Sequence, residues 1–156
     1  ATVIAASNKN RVRIKNLDLS GARVSGTGLS IDGGSGHLID NVDVSRRATG
    51  ADLRNTSDLG VNALTANWTS TTGLYLRSIT LPLSMTGLTA TNGNGTGLKL
   101  YGINGTAGAP NGIDDLTLTS ANITSSANVT FIPKSPGVSS TVCNAATATC
   151  SMTPSV

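Results

Sequence analysis

Eight carboxylates, all of them Asp, eleven Lys or Arg side chains, one His, two Cys and two Tyr carry the ionisable chemistry of this 156-residue chain. Asp18, Asp40 and Asp43, followed by Arg46 and Arg47, are the densest acidic group with cations beside it. Acids that hold a cation next to a base that removes a proton are what a polysaccharide lyase needs. Asp114 and Asp115 are neighbours with no third acid near them in sequence. A paired-carboxylate glycosidase needs two acids about 5 to 10 Å apart across its substrate. The single histidine, His37, follows Gly36 in a glycine-rich stretch and reads as a surface turn residue, so no Ser-His-Asp set is evident. Cys143 and Cys150 enclose Asn-Ala-Ala-Thr-Ala-Thr, which has no further metal ligand, so the expected product is a local disulfide formed in an oxidising compartment. Neither a metal nor a cofactor is expected. The most varied set is Asp52, Arg54, Tyr75, Arg77, Lys99 and Tyr101, whose rings and charges suit an acidic glycan.

These residues need a scaffold, and composition narrows what it can be. The chain has no Glu and no Gln, only 12% charged and 3% aromatic residues, and 18 Gly. Straight polar side chains favour helices, whereas short Asp, Asn, Ser and Thr favour turns and strands, so a mostly helical fold is excluded. A hydrophobic content of 38% with net charge +3 argues against disorder. No apolar run is long enough for a membrane-spanning helix. Ala1 in place of an initiator Met reads as a processed or excised chain. Six Asn-X-Ser/Thr triplets begin at Asn55, Asn67, Asn94, Asn104, Asn122 and Asn128, against roughly 3.6 expected from composition, which makes them candidate glycosylation sites.

A seven-residue template recurs: apolar, any, small or amide, apolar, any, apolar, hydroxyl or amide. Its copies start at Ile14, Ile39, Val61, Met85 and Ile113. A second element follows the first four copies, as Thr27-Gly28-Leu29-Ser30-Ile31, Thr49-Gly50-Ala51-Asp52-Leu53, Thr72-Gly73-Leu74-Tyr75-Leu76 and Thr96-Gly97-Leu98-Lys99-Leu100, with a degenerate fifth around Ala127 to Phe131. Each element alternates with period 2 and cannot bury its apolar side chains alone, so the repeats must stack. Stacking puts Leu17, Val42, Leu64, Leu88 and Leu116 in one interior column. Leu19, Val44, Ala66, Ala90 and Leu118 form a second, facing Ile31, Leu53, Leu76 and Leu100. Asn16 and Asn41 would stack at a bend and bond unpaired backbone. Lys15 falls in the column of Asp40, a partner one coil on.

The template resembles the parallel β-helix repeat of the pectin-lyase-like superfamily over residues 11–132. The resemblance implies an all-β, single-stranded, right-handed parallel β-helix of about five coils. Residues 1–10 would be a cap or entering strand, and 133–156 a tail carrying the Cys143–Cys150 loop. Galacturonan hydrolases of that superfamily share Asn-Thr-Asp, Asp-Asp, Gly-His-Gly and Arg-Ile-Lys in that order. Here Arg13-Ile14-Lys15 comes first, Gly36-His37-Leu38 second and Asp114-Asp115 last, with no Asn-Thr-Asp.

Three functions compete. A noncatalytic extracellular or surface module, structural or adhesive and suited to a fibre or filament, fits the scant catalytic inventory and the self-association that open coil ends invite. A carbohydrate-active or carbohydrate-binding domain would use the Asp18, Asp40, Asp43 patch or the tyrosine face. The plainer reading of that face is a solvated sheet whose charges pair along the stack. Ice binding would use the Thr-X-Thr pairs Thr89-Ala90-Thr91 and Thr117-Leu118-Thr119. Lys9, Arg11, Arg13 and Lys15 give one strand a basic face, but without interleaved aromatics it does not indicate nucleic acid. Trp68 is expected to pack a turn or a neighbouring surface.

Overall fold

The computed structural model describes residues 1–22 and 24–101 and the strands 116–119, 122–124 and 127–132, with side chains through Leu100 except Leu81 and Pro82. Among the described residues every regular element is a strand. In chain order they are β1 (Thr2–Ser7), β2 (Arg13–Asp18), β3 (Thr27–Asp32), β4 (Ser35–Asp43), β5 (Thr49–Arg54), β6 (Ser57–Thr65), β7 (Thr72–Arg77), β8 (Thr80–Thr86), β9 (Thr89–Thr91), β10 (Thr96–Tyr101), β11 (Leu116–Thr119), β12 (Asn122–Thr124) and β13 (Ala127–Ile132). One sheet runs β1-β3-β5-β7-β10-β13; the other runs β2-β4-β6-β8-β11, with β9 joining β6 to β12. All of these pairs are parallel, so the chain is a β-solenoid.

The first sheet sets the length of a turn. Thr2 pairs with Thr27, Thr27 with Thr49, Thr49 with Thr72, and Thr72 with Thr96. About four turns are thus traced end to end, against the five expected. Residues 102–115 lie outside the described residues, and beyond them β13 pairs Ala127 with Thr96. The entering segment is a full member of this sheet, since Ile4 and Ala6 lie in register with Leu29 and Ile31.

Between the sheets lies one apolar core. From the first sheet come Leu29, Ala51, Leu74 and Leu98, with Ile31, Leu53, Leu76 and Leu100, all buried. From the second come Ile39, Val61 and Met85, then Val42, Leu64 and Leu88, then Val44, Ala66 and Ala90. Leu17 pairs with Val42 as the repeat requires, but it is 38% exposed, because β2 ends its sheet.

The fifth template copy is out of the expected register. Leu116 pairs with Leu83 and Leu118 with Met85, not with Leu88 and Ala90, and it is Ile123 that pairs with Ala90. One turn earlier, β8 already holds an extra residue: Ser57 pairs with Thr80 but Leu59 with Leu83. The surplus falls at Leu81-Pro82, a bulge being where a strand tolerates a residue with no N–H.

Each turn bends through single residues with left-handed backbone, and these too stack. Asn16, Asn41, Ala63 and Gly87 have φ between 48° and 68° and occupy the template's small-or-amide position. Asn8, Gly33, Asn55 and Ser78 form a second such column, Arg11, Gly36 and Asp58 a third, and Arg46, Trp68 and Asn92 a fourth. Asn and Gly tolerate this region best, which explains the template's preference. The Asn41 amide donates to Asn16 Oδ1 at 2.8 Å, so these side chains bond each other rather than the backbone.

At the Thr-Gly starts each glycine lies tight against the next turn. A Cβ on Gly73 would meet the Gly97 carbonyl oxygen at 2.5 Å and the Ala90 methyl at 3.2 Å. Gly73→Ala is therefore expected to lower unfolding free energy by about 1–3 kcal/mol, read by denaturant titration. Gly60→Ala, whose new methyl first meets the mobile Cδ1 of Leu38 at 3.1 Å, should cost clearly less.

Candidate functional site

The outer face of the first sheet brings together five of the six residues selected from sequence. Alternation along β5, β7 and β10 turns Asp52, Arg54, Tyr75, Arg77 and Lys99 outward, and parallel register puts Tyr75 between Asp52 and Lys99. Arg54 Nε donates to Asp32 Oδ2 at 2.9 Å, and its Nη1 lies 3.4 Å from Asp52 Oδ2. Arg77 forks onto Asp52, Nε to Oδ1 at 3.1 Å and Nη2 to Oδ2 at 2.8 Å. Asn55 donates to the other oxygen of Asp32 at 2.7 Å. The Arg77 guanidinium and the Lys99 ammonium lie 5.2 and 5.0 Å from the centre of the Tyr75 ring. Tyr101 stands opposite Arg77 in the ladder, and its side chain lies outside the described set. The charges thus form one chain, Asp32–Arg54–Asp52–Arg77, running along the stack. A glycan would have to compete for groups already bonded to each other.

The acidic patch does not converge. Asp18 Oδ1 accepts from the Ser20 N–H and Asp43 Oδ1 from the Ser45 N–H, both at 2.8 Å, so each carboxylate closes the turn that follows it. Asp40 is held by Lys15 at 3.1 Å and by the Asn62 amide at 2.7 Å. Among the described residues no group of three His, Cys, Asp or Glu is arranged to hold a metal ion. Arg47, the nearby cation, donates to the backbone carbonyls of Leu19 and Ser20. Asn16, Leu17, Asp18, Asn41, Val42, Asp43 and Thr65 line an open groove of about 370 Å3 here, beside two turn-closing acids rather than a catalytic set.

His37 is not a surface turn residue. It lies in β4, 2% exposed, in register with Leu59 and Leu83. Its Nδ1 accepts the Val12 N–H at 3.2 Å, and Nε2 faces the Gly33 carbonyl oxygen at 3.2 Å. The two contacts together select the neutral tautomer protonated on Nε2. The imidazole closes a corner of the first turns.

The threonine pairs do not line up either. Thr117-Leu118-Thr119 pairs with Ser84-Met85-Thr86, while Thr89-Ala90-Thr91 pairs with Asn122-Ile123-Thr124. On the other side Thr91 donates through its hydroxyl to Asn67 Oδ1 at 2.8 Å. That bond extends a ladder in which Ser45 Oγ accepts the Asn67 N–H at 3.0 Å. Among the sequon asparagines, Asn55 and Asn67 are thus engaged in turn-to-turn bonds, whereas Asn94 is exposed at a corner. The side chains of Asn104, Asn122 and Asn128, with Cys143, Cys150 and the Asp114-Asp115 pair, lie outside the described residues.

Trp68 stands at a corner, as expected, and is largely uncovered there. Trp68 is 47% exposed and sits in the fourth left-handed column, with the Arg46 guanidinium 5.5 Å from its ring. With Val24, Thr69, Ser70, Asn92 and Asn94 it lines a notch of about 200 Å3. The sequence does hold a signal for this column, because Arg46, Trp68 and Asn92 each stand one place past the end of a template copy.

No family model, curated protein or solved structure matches this chain. Among the described residues, no helix is long and apolar enough to cross a membrane.

Replacing His37 by Leu suits its column but orphans the Val12 N–H and the Gly33 carbonyl, and is expected to cost about 1–3 kcal/mol in urea unfolding. Acid acts on the carboxylates. Asp32 is held below its ordinary pKa of 3.8 by the Asn55 amide and by Arg54, Asp40 by Lys15 and Asn62, and Asp18 by Ser20. A depressed carboxylate stabilises the fold above its unfolded pKa, and that contribution disappears as pH falls through the folded value. The melting temperature should therefore drop below about pH 4 from this cause. Asp40→Asn should melt below the parent at neutral pH and approach it in acid.

Proposed function

We propose that the chain is a noncatalytic β-solenoid module of the extracellular space or cell surface, structural or adhesive, which joins end to end with like turns in a fibre or filament. The observation that carries this reading is where the polar side chains go. Lys15–Asp40, Asn41–Asn16, Asn62–Asp40, Arg54–Asp32, Arg77–Asp52 and Thr91–Asn67 each tie one turn to the next. Groups that would be aimed at a substrate in an enzyme are here bonded along the stack.

The outermost strands support stacking against further turns. β1 and β2 are the outermost described strands of their sheets, and Val3 and Leu17 on them are 48% and 38% exposed. A parallel strand laid on each edge would continue both ladders and cover that apolar surface. The placement outside the cell rests on the sequons and the cysteine pair. Membership of the pectin-lyase-like superfamily belongs to the same proposal, supported by the turn length, the two parallel sheets and the stacked asparagines at a bend. The out-of-register threonines leave ice binding without a geometric basis, and the mutually paired charges weaken the case for an acidic glycan on the tyrosine face.

Sedimentation and negative-stain electron microscopy of the chain test the proposal. Concentration-dependent end-to-end oligomers are expected, and Val3→Lys with Leu17→Lys should suppress them while leaving the far-ultraviolet spectrum unchanged. A monomer at every concentration would remove the assembly role, and release of unsaturated uronates from acidic polysaccharide would overturn the noncatalytic one.

A further inference from the structure

His37 is the only histidine of the chain, and it stands where the next two turns carry Leu59 and Leu83. Its ring is buried, holds the Val12 N–H on Nδ1 and faces the Gly33 carbonyl oxygen with Nε2, each at 3.2 Å. One backbone group of the outermost described turn therefore depends on a nitrogen that titrates. A proton on Nδ1 turns that acceptor into a donor and sets it against the Val12 N–H. Two buried donors facing each other are both left unsatisfied.

The surroundings oppose a positive ring. Lys9, Arg11 and Arg13 lie on the segment that passes this corner, and Arg13 Nη1 donates to the Gly36 carbonyl oxygen at 2.8 Å. Asp58 stands one turn on, in the left-handed column that Arg11 and Gly36 share. Asp32, next to Gly33, is already bonded to Arg54 and Asn55. From β6 and β8 the column presents only Leu59 and Leu83.

The segment held by this contact is lightly anchored. From Asn8 to Ser20 only Ile14 and Leu19 are buried, and segments with few buried apolar contacts open first. Its backbone ties to the second turn run from Asn8 to Asp32, Arg11 to Ser35 and Leu19 to Asp43, with Val12 to His37 among them.

We propose that His37 is an acid-sensitive latch: protonation of its ring releases residues 8–19 from the second turn and leaves the rest of the stack in place. The closed latch needs the neutral ring, so its contribution is full at high pH and fades as protons become available to the imidazole. Once freed, an imidazole binds its proton at the ordinary value of about 6.5, so each pH unit below that favours the open segment by up to about tenfold. Opening uncovers the edge of β4 and with it Ile39 and Val42, which the closed structure buries. The latch acts within one chain, so it does not depend on end-to-end assembly, and either proposal can fail alone.

Amide exchange of the full chain, followed by NMR at pH 7.5 and pH 5, tests the latch, because exposed carboxylates stay ionised over that interval. After correction for the intrinsic effect of pH, protection of the Asn8, Arg11, Val12 and Leu19 amides should fall by about tenfold or more. Protection of Ala66, Trp68 and Thr96, whose amides bond between later turns, should stay level. The 15N resonance of Nδ1 should pass from unprotonated to protonated over the same interval. His37→Asn offers Val12 an acceptor that does not titrate, and His37→Leu offers none. In both, the pH dependence at the four amides should vanish, whatever the absolute protection. The proposal is overturned by unchanged protection at those amides, by an equal loss at Ala66, Trp68 and Thr96, or by a pH dependence that persists in either variant.

Discussion

A chain that must return to the same line every 22 to 25 residues has to bend several times per turn, and the bends decide what the rest can be. In this molecule most of them fall on left-handed residues stacked in four columns, begun by Asn8, Arg11, Asn16 and Arg46. That conformation disfavours β-branched side chains and tolerates Asn, Asp and Gly. Asn and Gly at these corners are thus a consequence of turning, and the straight stretches between them are left largely to Val, Ile, Leu and Thr, which suit pleated strands. Where a column holds two asparagines the corner is also a bonding site, as Asn41 to Asn16 shows.

Stacking corners fix register, and register fixes everything lateral. Once Thr27, Thr49, Thr72 and Thr96 are aligned, the aliphatic columns inside and the charged columns outside follow without further choice. The energetic weights differ. Each fully buried Leu or Ile contributes about 1.5–3 kcal/mol, against under about 1 kcal/mol for a half-exposed ion pair. The Asp–Arg chain therefore selects the alignment that the core makes stable, and penalises slipped ones in which like charges would meet. Gly28, Gly50 and Gly73 mark the opposite limit, where a side chain would run into the carbonyl oxygen of the next glycine in the column and then into the facing Val44, Ala66 or Ala90.

How far the molecule was legible in its sequence depended on how unambiguous each pattern was. Ile14, Ile39, Val61 and Met85 share a template whose amide position identifies the corner, and they stack as read. The Lys15–Asp40 contact followed from that register alone. The fifth copy failed because Leu83-Ser84-Met85-Thr86 and Leu88-Thr89-Ala90-Thr91 both read apolar, hydroxyl, apolar, hydroxyl, and Leu116-Thr117-Leu118-Thr119 matches either. A period of two cannot tell one window from the other. His37 was misjudged because its column, with Leu59 and Leu83, lies just outside the seven-residue template, so nothing marked it as inward-facing. The notch beside Trp68 escaped for a different reason, because a hollow is a property of three dimensions that no spacing announces.

The identical Thr-Gly starts at Thr27, Thr49, Thr72 and Thr96 have an evolutionary corollary. Strand pairing links each turn to its immediate neighbours, so a cut just before one such start and a splice just before another remove or duplicate a whole turn while every surviving ladder finds a matching partner. Length in this architecture can thus drift by gene-level duplication without a new core having to be invented.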